Sequence, residues 1–274
     1  MEKHTRTYQV LNSHSGDPAP RDIDVHASEA EIESLTATGY LVREGLIQGA
    51  QLESLRRATD DLTQAEWKQH RGEAPKERSW GIIMRYLMDK DPAFIELLKF
   101  EPVLSVARAM MGPLIRMRGL TARVSFPGAE IQETSWHQHL RVVPQPLPPW
   151  FCQPHSIDAL IYLDDLDDET GPVCVVPGSH AWLDREPPQG HYAPLPDEVV
   201  LRPPAGSVVI MHSNLWHRAM PTVARKRRML ILGYAPVWLR KSPYGTQPEN
   251  GLTRELLAEG DPEVEELLGV RGFA

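Results

Sequence analysis

Three histidines in the C-terminal two-thirds of the sequence have the type and spacing of metal ligands. His137 and His139 lie in the segment Trp136–His139, whose pattern predicts a strand. Alternate residues of a strand point to the same face, so the two imidazoles would project side by side, as two ligands of one metal require. His217, at a later strand end, could complete a three-ligand facial site. Hydrogen-bonded surface histidines are the simpler alternative, and His212 is the competing third ligand.

A basic run, Arg225–Arg228, leads into the predicted strand Met229–Tyr234 and supplies candidate anion-binding groups. A solvated turn is the simpler interpretation of such a run. The alternative is that one arginine points inward, because a guanidinium can hold a carboxylate through two hydrogen bonds in a dry pocket. Arg228, at the start of the strand, is the candidate. The acidic run Asp164–Glu169 lacks the spacing of an EF-hand calcium loop and predicts a solvated turn.

The elements that must position these residues divide into a helical N-terminal third and a β-rich remainder. Ser28 followed by Glu31 predicts a capped helix start, and apolar residues every three or four positions predict an amphipathic helix over about 47–67. After Pro113, short apolar runs are separated by proline, glycine and aspartate clusters, a pattern typical of a β-sandwich or barrel. We expect a loose N-terminal arm (1–25), a single domain (26–240) with a helical part (26–112) and a barrel (113–240), and a C-terminal extension (241–274) that packs on the domain.

The composition argues against several other classes of protein. Proline makes up 25 of the 274 residues, which argues against an all-helical bundle, because proline disrupts helix interiors. The formal net charge of −8 argues against a nucleic-acid or anionic-membrane partner. Two cysteines form no disulfide framework, the N-terminus has no apolar signal region, and the apolar runs are too short to span a bilayer. We therefore expect a cytoplasmic protein.

Taken together, these segments resemble the phytanoyl-CoA dioxygenase family of Fe(II)- and 2-oxoglutarate-dependent oxygenases over about residues 30–240. The matching pieces are WHQ at 136–138, YLDD at 162–165, ETGPVCVVPGSH at 169–180, GSVVIMHS at 206–213, His217 and Arg228. The resemblance implies a double-stranded β-helix, mainly β with supporting helices. It also implies Fe(II) held by His137, position 139 and His217, with 2-oxoglutarate anchored by Arg228. The implied reaction uses O2 to hydroxylate an unactivated C–H bond of a small organic molecule.

Position 139 departs from the family pattern, which has Asp where this chain has His139. Either His139 is a ligand and the site is a neutral set of three histidines, or the chain binds metal weakly or differently. Imidazole is a sound ligand for iron and zinc, which favours the first account. Asp158, on the next predicted strand, is an alternative source of a carboxylate.

Two other functions are compatible with the histidines. A cupin-type three-histidine dioxygenase would need no 2-oxoglutarate, although no glutamate follows His139 at the short spacing of the cupin pattern. A non-catalytic metal-binding barrel is the other possibility. Arg228 discriminates between these functions, because an anchor for a carboxylate has a role only where 2-oxoglutarate binds.

The loops at the mouth of such a barrel usually select the substrate. Trp150, Phe151 and His155 lie in the proline-rich segment after the proposed ligand pair and are candidate substrate contacts. Trp150 and Phe151 would supply an apolar wall. Packing on the scaffold is the alternative for each of the three residues.

Overall fold

Short antiparallel strands dominate the computed structural model, which describes residues 2–10, 19–69, 81–127, 133–139, 146, 149, 156–239 and 251–270. In chain order the strands are β1 His4–Val10, β2 Ala19–Val25, β3 Tyr40–Arg43, β4 Ile82–Met84, β5 Ile115–Ser125, β6 Thr134–His137, β7 Ile157–Tyr162, β8 Val173–Val175, β9 Val199–Leu201, β10 Val208–His212, β11 His217–Ala219 and β12 Arg227–Pro236. The helices are α1 Glu29–Thr38, α2 Gly49–Gln69, α3 Glu101–Met111, α4 Gly251–Ala258 and α5 Pro262–Leu267, with short 3-10 helices at Leu87–Asp89, Pro92–Leu97 and Ser179–Ala181.

Two antiparallel sheets form the barrel. The larger has the strand order β3-β10-β7-β12-β5-β4, and the smaller has the order β6-β11-β8-β9. Side chains of both sheets meet in one hydrophobic core, with Leu160 and Met211 from the larger sheet and Val173 and Val175 from the smaller. The predicted architecture, mainly β with supporting helices, is confirmed.

Strand β12 shows how the larger sheet separates two environments. Side chains alternate between the faces of a strand. Met229 therefore packs in the core between the sheets, whereas Leu230 and Leu232 pack in the larger core that includes the helices. Met229 lies opposite Arg123 of β5 on one side and Tyr162 of β7 on the other. Residues in phase with Met229 thus face the interior of the barrel.

The helical part contains the predicted helix start, and it also contains two strands, β3 and β4. Ser28 Oγ accepts a hydrogen bond from Glu31 N at 3.2 Å, and the Glu31 carboxylate accepts one from Ser28 N at 2.8 Å, which confirms the capping box. Strands β3 and β4 fall within 26–112 but pair with β10 and β5 of the larger sheet. The expected division at residue 112 into a helical part and a barrel is therefore wrong for β3 and β4, which belong to the barrel. The sequence did not show this because their pairing partners lie far away in the chain. Of the helices in the described ranges, none combines the length and apolar character needed to cross a membrane.

The N-terminal segment is not a loose arm where the structure describes it. Strands β1 and β2 pair along their whole length as an antiparallel hairpin. Ile23 and Val25 are buried in the core that contains α3, and Tyr8 Oη donates to the Ala109 carbonyl at 3.0 Å. The expectation failed because the segment is polar, and only alternate residues of β2 supply apolar side chains to the core.

The C-terminal extension packs on the domain through α5. Val264, Leu267 and Leu268 are buried in the same core as the N-terminal hairpin. Arg21 of the hairpin donates to both carboxylate oxygens of Glu266, at 2.9 and 3.2 Å. Within residues 251–270 the extension is therefore joined to the N-terminal hairpin by apolar packing and an ion pair.

Candidate metal centre

His137, His139 and His217 converge at one end of the space between the sheets. One ring nitrogen of each lies within 4.8 Å of the corresponding nitrogens of the other two. The ring centroids are 4.1 Å apart for His137 and His217, 5.0 Å for His139 and His217, and 5.5 Å for His137 and His139. The pairing of β6 with β11 places His137 directly opposite His217. Sequence-distant imidazoles thus become neighbours through the strand register.

His139 reaches the cluster by a different route. It lies two residues beyond His137, after β6 has ended, so strand alternation alone does not set its position. Its backbone N–H donates to the Ser213 carbonyl at 2.7 Å, which fixes this turn against the end of β10. The structure therefore brings the three predicted ligands together, and it leaves His212 on the far side of β10, 5.3 Å from the ring of His180.

Each of the three imidazoles has its Nδ1 committed to an oxygen atom. Nδ1 of His137 lies 2.9 Å from the Ser135 carbonyl, and Nδ1 of His217 lies 2.8 Å from the Leu215 carbonyl. A carbonyl oxygen only accepts hydrogen bonds, so Nδ1 carries the proton and Nε2 keeps its lone pair. Such backing hydrogen bonds orient metal-ligating histidines in known sites.

His139 is backed by a carboxylate instead of a carbonyl. Its Nδ1 lies 2.7 Å from Oδ2 of Asp158, which is fully buried. The other carboxylate oxygen, Oδ1, accepts a hydrogen bond from Arg118. Both oxygens of Asp158 are therefore engaged. The alternative in which Asp158 lends its carboxylate to the metal does not agree with this arrangement.

The electrostatics of the cluster favour the neutral form of His137 and His217. Burial, reinforced by the neighbouring His139, lowers the pKa of His137 to about 4. Burial, reinforced by the other two histidines, also holds the pKa of His217 well below its ordinary value. Burial opposes ionisation of Asp158, but Arg118 and His139 together hold the pKa of this carboxyl well below its usual range. At neutral pH His137 and His217 thus offer lone pairs, and a charged carboxylate lies behind His139.

This donor set fits a transition metal. Three imidazole nitrogens on one side of a cavity suit iron, nickel, copper or zinc, and they would leave coordination positions open on the cavity side. The Nε2 atoms of the three histidines would bind the metal.

The histidines line a cavity between the sheets that also contains arginines. Its walls are made by the three histidines together with Arg123, Thr134, Leu160, Tyr162, Val173, Arg218, Ala219, Arg227, Met229 and Ile231. Arg218 is paired with Glu198, with Nη2 3.0 Å from Oε1. Among the described residues, Arg123 and Arg227 form no ion pair with a carboxylate. The cavity is therefore positively charged with apolar walls.

Arg228 does not line this cavity, which corrects the prediction from the sequence. Its Nε and Nη2 donate to Asp164 at 3.0 and 2.5 Å, and its Nη1 donates to Asp60 at 2.8 Å. Arg227 is in phase with Met229 and lines the cavity in its place. The guanidinium of Arg227 is buried and donates to the carbonyls of Gly171 and Met220. Alternation along β12 separates the two arginines.

Arg123 is a cavity residue that the sequence prediction missed. It is 9% exposed, and its Nη1 donates to Thr134 Oγ1 at 2.5 Å. Its Nε and Nη2 are buried with no partner among the described residues. Burial, reinforced by the charge of Arg227, lowers the pKa of Arg123 to about 10. A polar residue at every second position of β5, from Thr121 to Ser125, was the available indication that this face is not ordinary core.

The three candidate substrate contacts, Trp150, Phe151 and His155, lie outside the described residues. The described part of the cavity wall is apolar where it is made by Leu160, Val173, Met229 and Ile231.

Comparison with known proteins identifies the family of this chain. The sequence model of the family described as phytanoyl-CoA dioxygenase (PhyH) matches residues 35–230. The chain belongs to this family. Its members depend on Fe(II) and 2-oxoglutarate, and membership supports an oxygenase of that kind.

The chain is also similar, at lower identity, to two curated proteins. The uncharacterized protein Rv1501 of Mycobacterium tuberculosis is 26% identical over 208 residues, which are 73% of this chain and 71% of that protein. Dioxygenase af480 of Aspergillus fumigatus is 25% identical over 189 residues, which are 68% of this chain and 57% of that protein.

Solved structures agree on the fold. HygX from Streptomyces hygroscopicus, solved with nickel and 2-oxoglutarate bound, has a TM-score of 0.62 at 18% identity and covers 78% of this chain and 89% of its own. The α-ketoglutarate-dependent carbocyclase SnoK from nogalamycin biosynthesis has a TM-score of 0.62 at 19% identity and covers 81% of this chain and 89% of its own. The predicted double-stranded β-helix is confirmed.

Proposed function

We propose that this protein hydroxylates an unactivated C–H bond of a small organic molecule, using Fe(II) on three histidines together with 2-oxoglutarate and O2. One observation carries the proposal. Three imidazoles line the same cavity as two arginines that form no ion pair with a carboxylate of the described residues. The imidazoles match a metal, and the arginines match the negative charge of a cosubstrate carboxylate.

His137, His139 and His217 would hold the metal through Nε2. Bound iron supplies the activation of O2 that accompanies decarboxylation of 2-oxoglutarate to succinate. The chain fixes the imidazoles before metal arrives, because each Nδ1 is already committed to an oxygen acceptor. A site arranged in advance loses less conformational entropy on binding.

Arg227, together with Arg123, would bind the distal carboxylate of 2-oxoglutarate, in the role that the sequence assigned to Arg228. The two free donor groups of Arg123 are buried and adjacent to the cavity. A charge-assisted pair with a carboxylate would satisfy them and offset the cost of burying an unpaired cation. The repulsion between the positive charges of Arg123 and Arg227 would then be offset by one anion.

The apolar wall formed by Leu160, Val173, Met229 and Ile231 would exclude water from the reacting groups. A dry cavity strengthens the interaction of the arginines with a carboxylate. We propose that Trp150, Phe151 and His155 contact the substrate at the cavity mouth, and that residues 26–240 act as a single catalytic domain.

A three-histidine dioxygenase that does not use 2-oxoglutarate is the second candidate, favoured by the donor set at the metal. The two functions differ in the role of the arginines. Calorimetric titration of 2-oxoglutarate into Ni(II)-loaded protein tests them, because nickel allows binding to be measured without turnover. We expect saturable binding, and Fe(II)-loaded protein should form succinate when O2 is admitted. Metal-loaded protein that fails to bind 2-oxoglutarate contradicts the proposal.

A further inference from the structure

We propose that Asp158 is a positioning residue of the metal centre, which acts through His139 and supplies the negative charge that the ligand set itself lacks. The inference rests on the proposed function only in requiring that the three histidines bind a metal. It concerns a carboxylate that neither the ligand set nor the cosubstrate anchor uses.

The placement of Asp158 is the first argument. Its side chain is fully buried on β7, and Oδ2 lies 2.7 Å from His139 Nδ1. A buried carboxylate is costly unless each oxygen is engaged by a donor. Here the two donors are Arg118 and His139. The contact with His139 is therefore part of what allows Asp158 to be charged inside the barrel.

The difference from the other two ligands is the second argument. His137 and His217 are backed by neutral backbone carbonyls, whereas His139 is backed by a full negative charge. A carboxylate on Nδ1–H increases the basicity of the imidazole and fixes the ring orientation. The Asp158 carboxylate thereby lies one hydrogen bond behind the imidazole of His139, the residue at which the family resemblance leads one to expect a carboxylate ligand.

The surrounding strands keep room for this arrangement. Gly233 of β12 lies directly opposite Asp158 in the sheet register. A Cβ atom at Gly233 would stand 2.9 Å from Asp158 Oδ1 and 3.0 Å from Arg118 Nε. Glycine at this position therefore leaves the space that the pair of Arg118 and Asp158 occupies.

Asparagine at position 158 keeps the shape of the aspartate side chain but removes its negative charge and one of its two acceptor oxygens. Its amide has one oxygen and one NH2 group, so it cannot accept from both Arg118 and His139. One of the two contacts is lost, and the negative charge disappears. From the usual effect of removing such a backing group, we expect Asp158→Asn to weaken Co(II) binding by roughly 10- to 100-fold.

A double-mutant cycle distinguishes positioning from a general structural role. Co(II) affinity is measured by competition with a chelator for the wild type, Asp158→Asn, His139→Asp and the double variant. A carboxylate at position 139 has no Nδ1–H to donate, so Asp158→Asn should not weaken Co(II) binding in that background. An equal loss in both backgrounds, or no loss in the wild-type background, overturns the proposal. The Co(II) absorption spectrum should also shift in Asp158→Asn but not in the control Asp60→Asn, whose carboxylate binds Arg228 outside the cavity.

A second measurement needs no variant and guards against a misfolded Asp158→Asn. In histidine-labelled wild-type protein loaded with Zn(II), NMR should show His139 protonated at Nδ1 and bound to the metal through Nε2. The opposite tautomer overturns the proposal. Wild-type protein that binds neither Co(II) nor Zn(II) overturns the metal centre and this inference together. Metal binding without binding of 2-oxoglutarate contradicts the proposed function and leaves the role of Asp158 supported.

Discussion

Arg227 and Arg228 are consecutive residues whose guanidiniums lie on opposite faces of β12. Arg227 lines the cavity with the histidines, and Arg228 is held by Asp164 and Asp60 outside it. Substitutions of these two neighbouring arginines can therefore be compared directly, one inside the cavity and one outside it.

Replacing Arg227 by Ala should weaken 2-oxoglutarate binding strongly, and replacing Arg228 should not. Truncating one partner of a buried charge pair costs about 2 kcal/mol or more, which is roughly 30-fold in affinity. Calorimetry on Ni(II)-loaded Arg227→Ala and Arg228→Ala measures both, with thermal unfolding as the check on folding. The reverse pattern would show that the anchor is Arg228 after all.

Arg123→Met should stabilise the metal-free protein and weaken its binding of 2-oxoglutarate. The guanidinium of Arg123 has buried donors without partners among the described residues, and methionine is apolar with a similar reach. We expect a gain of about 1 kcal/mol or more in the free energy of unfolding, by analogy with buried ionic groups replaced by apolar ones. Chemical denaturation without ligand measures the gain. A less stable variant with unchanged 2-oxoglutarate affinity would refute this account.

The metal-free protein should lose stability as the pH falls from about 6.5 to about 4. The pKa of His137 is about 4 in the folded state against about 6.5 for an unperturbed histidine, so the unfolded chain binds the proton first as the solution is acidified. At about 1.4 kcal/mol per pKa unit, His137 alone accounts for a loss of roughly 3 kcal/mol, complete below the folded pKa. His217 changes stability in the same direction.

Urea unfolding in the presence of a chelator at a series of pH values measures this dependence. His137→Gln removes one titrating group and should flatten the curve over the same interval. An unchanged slope in that variant would mean that other groups cause the loss.

His139→Asp should retain a bound metal, whereas His139→Ala should bind it much more weakly. A carboxylate oxygen is a competent ligand for the divalent metals that imidazole binds, and alanine offers no ligand atom. Metal stoichiometry after dialysis, measured by elemental analysis, compares the two variants with the wild type. A stoichiometry of zero in His139→Asp would contradict the expectation.

Leu267→Ala should lower the free energy of unfolding by about 2–5 kcal/mol, the usual range for a large buried side chain. Leu267 is fully buried in the core shared with the N-terminal hairpin. Val270→Ala is the control, because Val270 is 45% exposed and its truncation should change stability by about 0.5 kcal/mol or less. Equal stabilities of the two variants would show that α5 is not part of the cooperative unit.

The sequence predicted the barrel and the three histidines because both depend on local patterns. Strand periodicity and the spacing of His137 and His139 are visible in a short window. It led to Arg228 instead of Arg227 as the inward-facing arginine, since a shift of one residue reverses which face a strand side chain occupies. The four basic residues in succession contain no information about that phase.

Contacts between segments that are distant in the chain also could not be predicted from the sequence. Arg123 acquires its role from the packing of two sheets, and Asp158 from its approach to a turn that follows another strand. The hairpin of β1 and β2 escaped prediction for the same reason, because its buried face is defined by α3.

Gly233 extends the set of positions on which the metal centre depends to a residue that has no side chain. Gly233 has no side chain that could bind a metal or form a hydrogen bond. Even a methyl group at this position would nevertheless press on the carboxylate behind His139. A survey of inactivating substitutions confined to ligands and charged residues would pass over it. The tolerance of this protein to mutation is therefore set in part by the lack of a side chain at one position of β12.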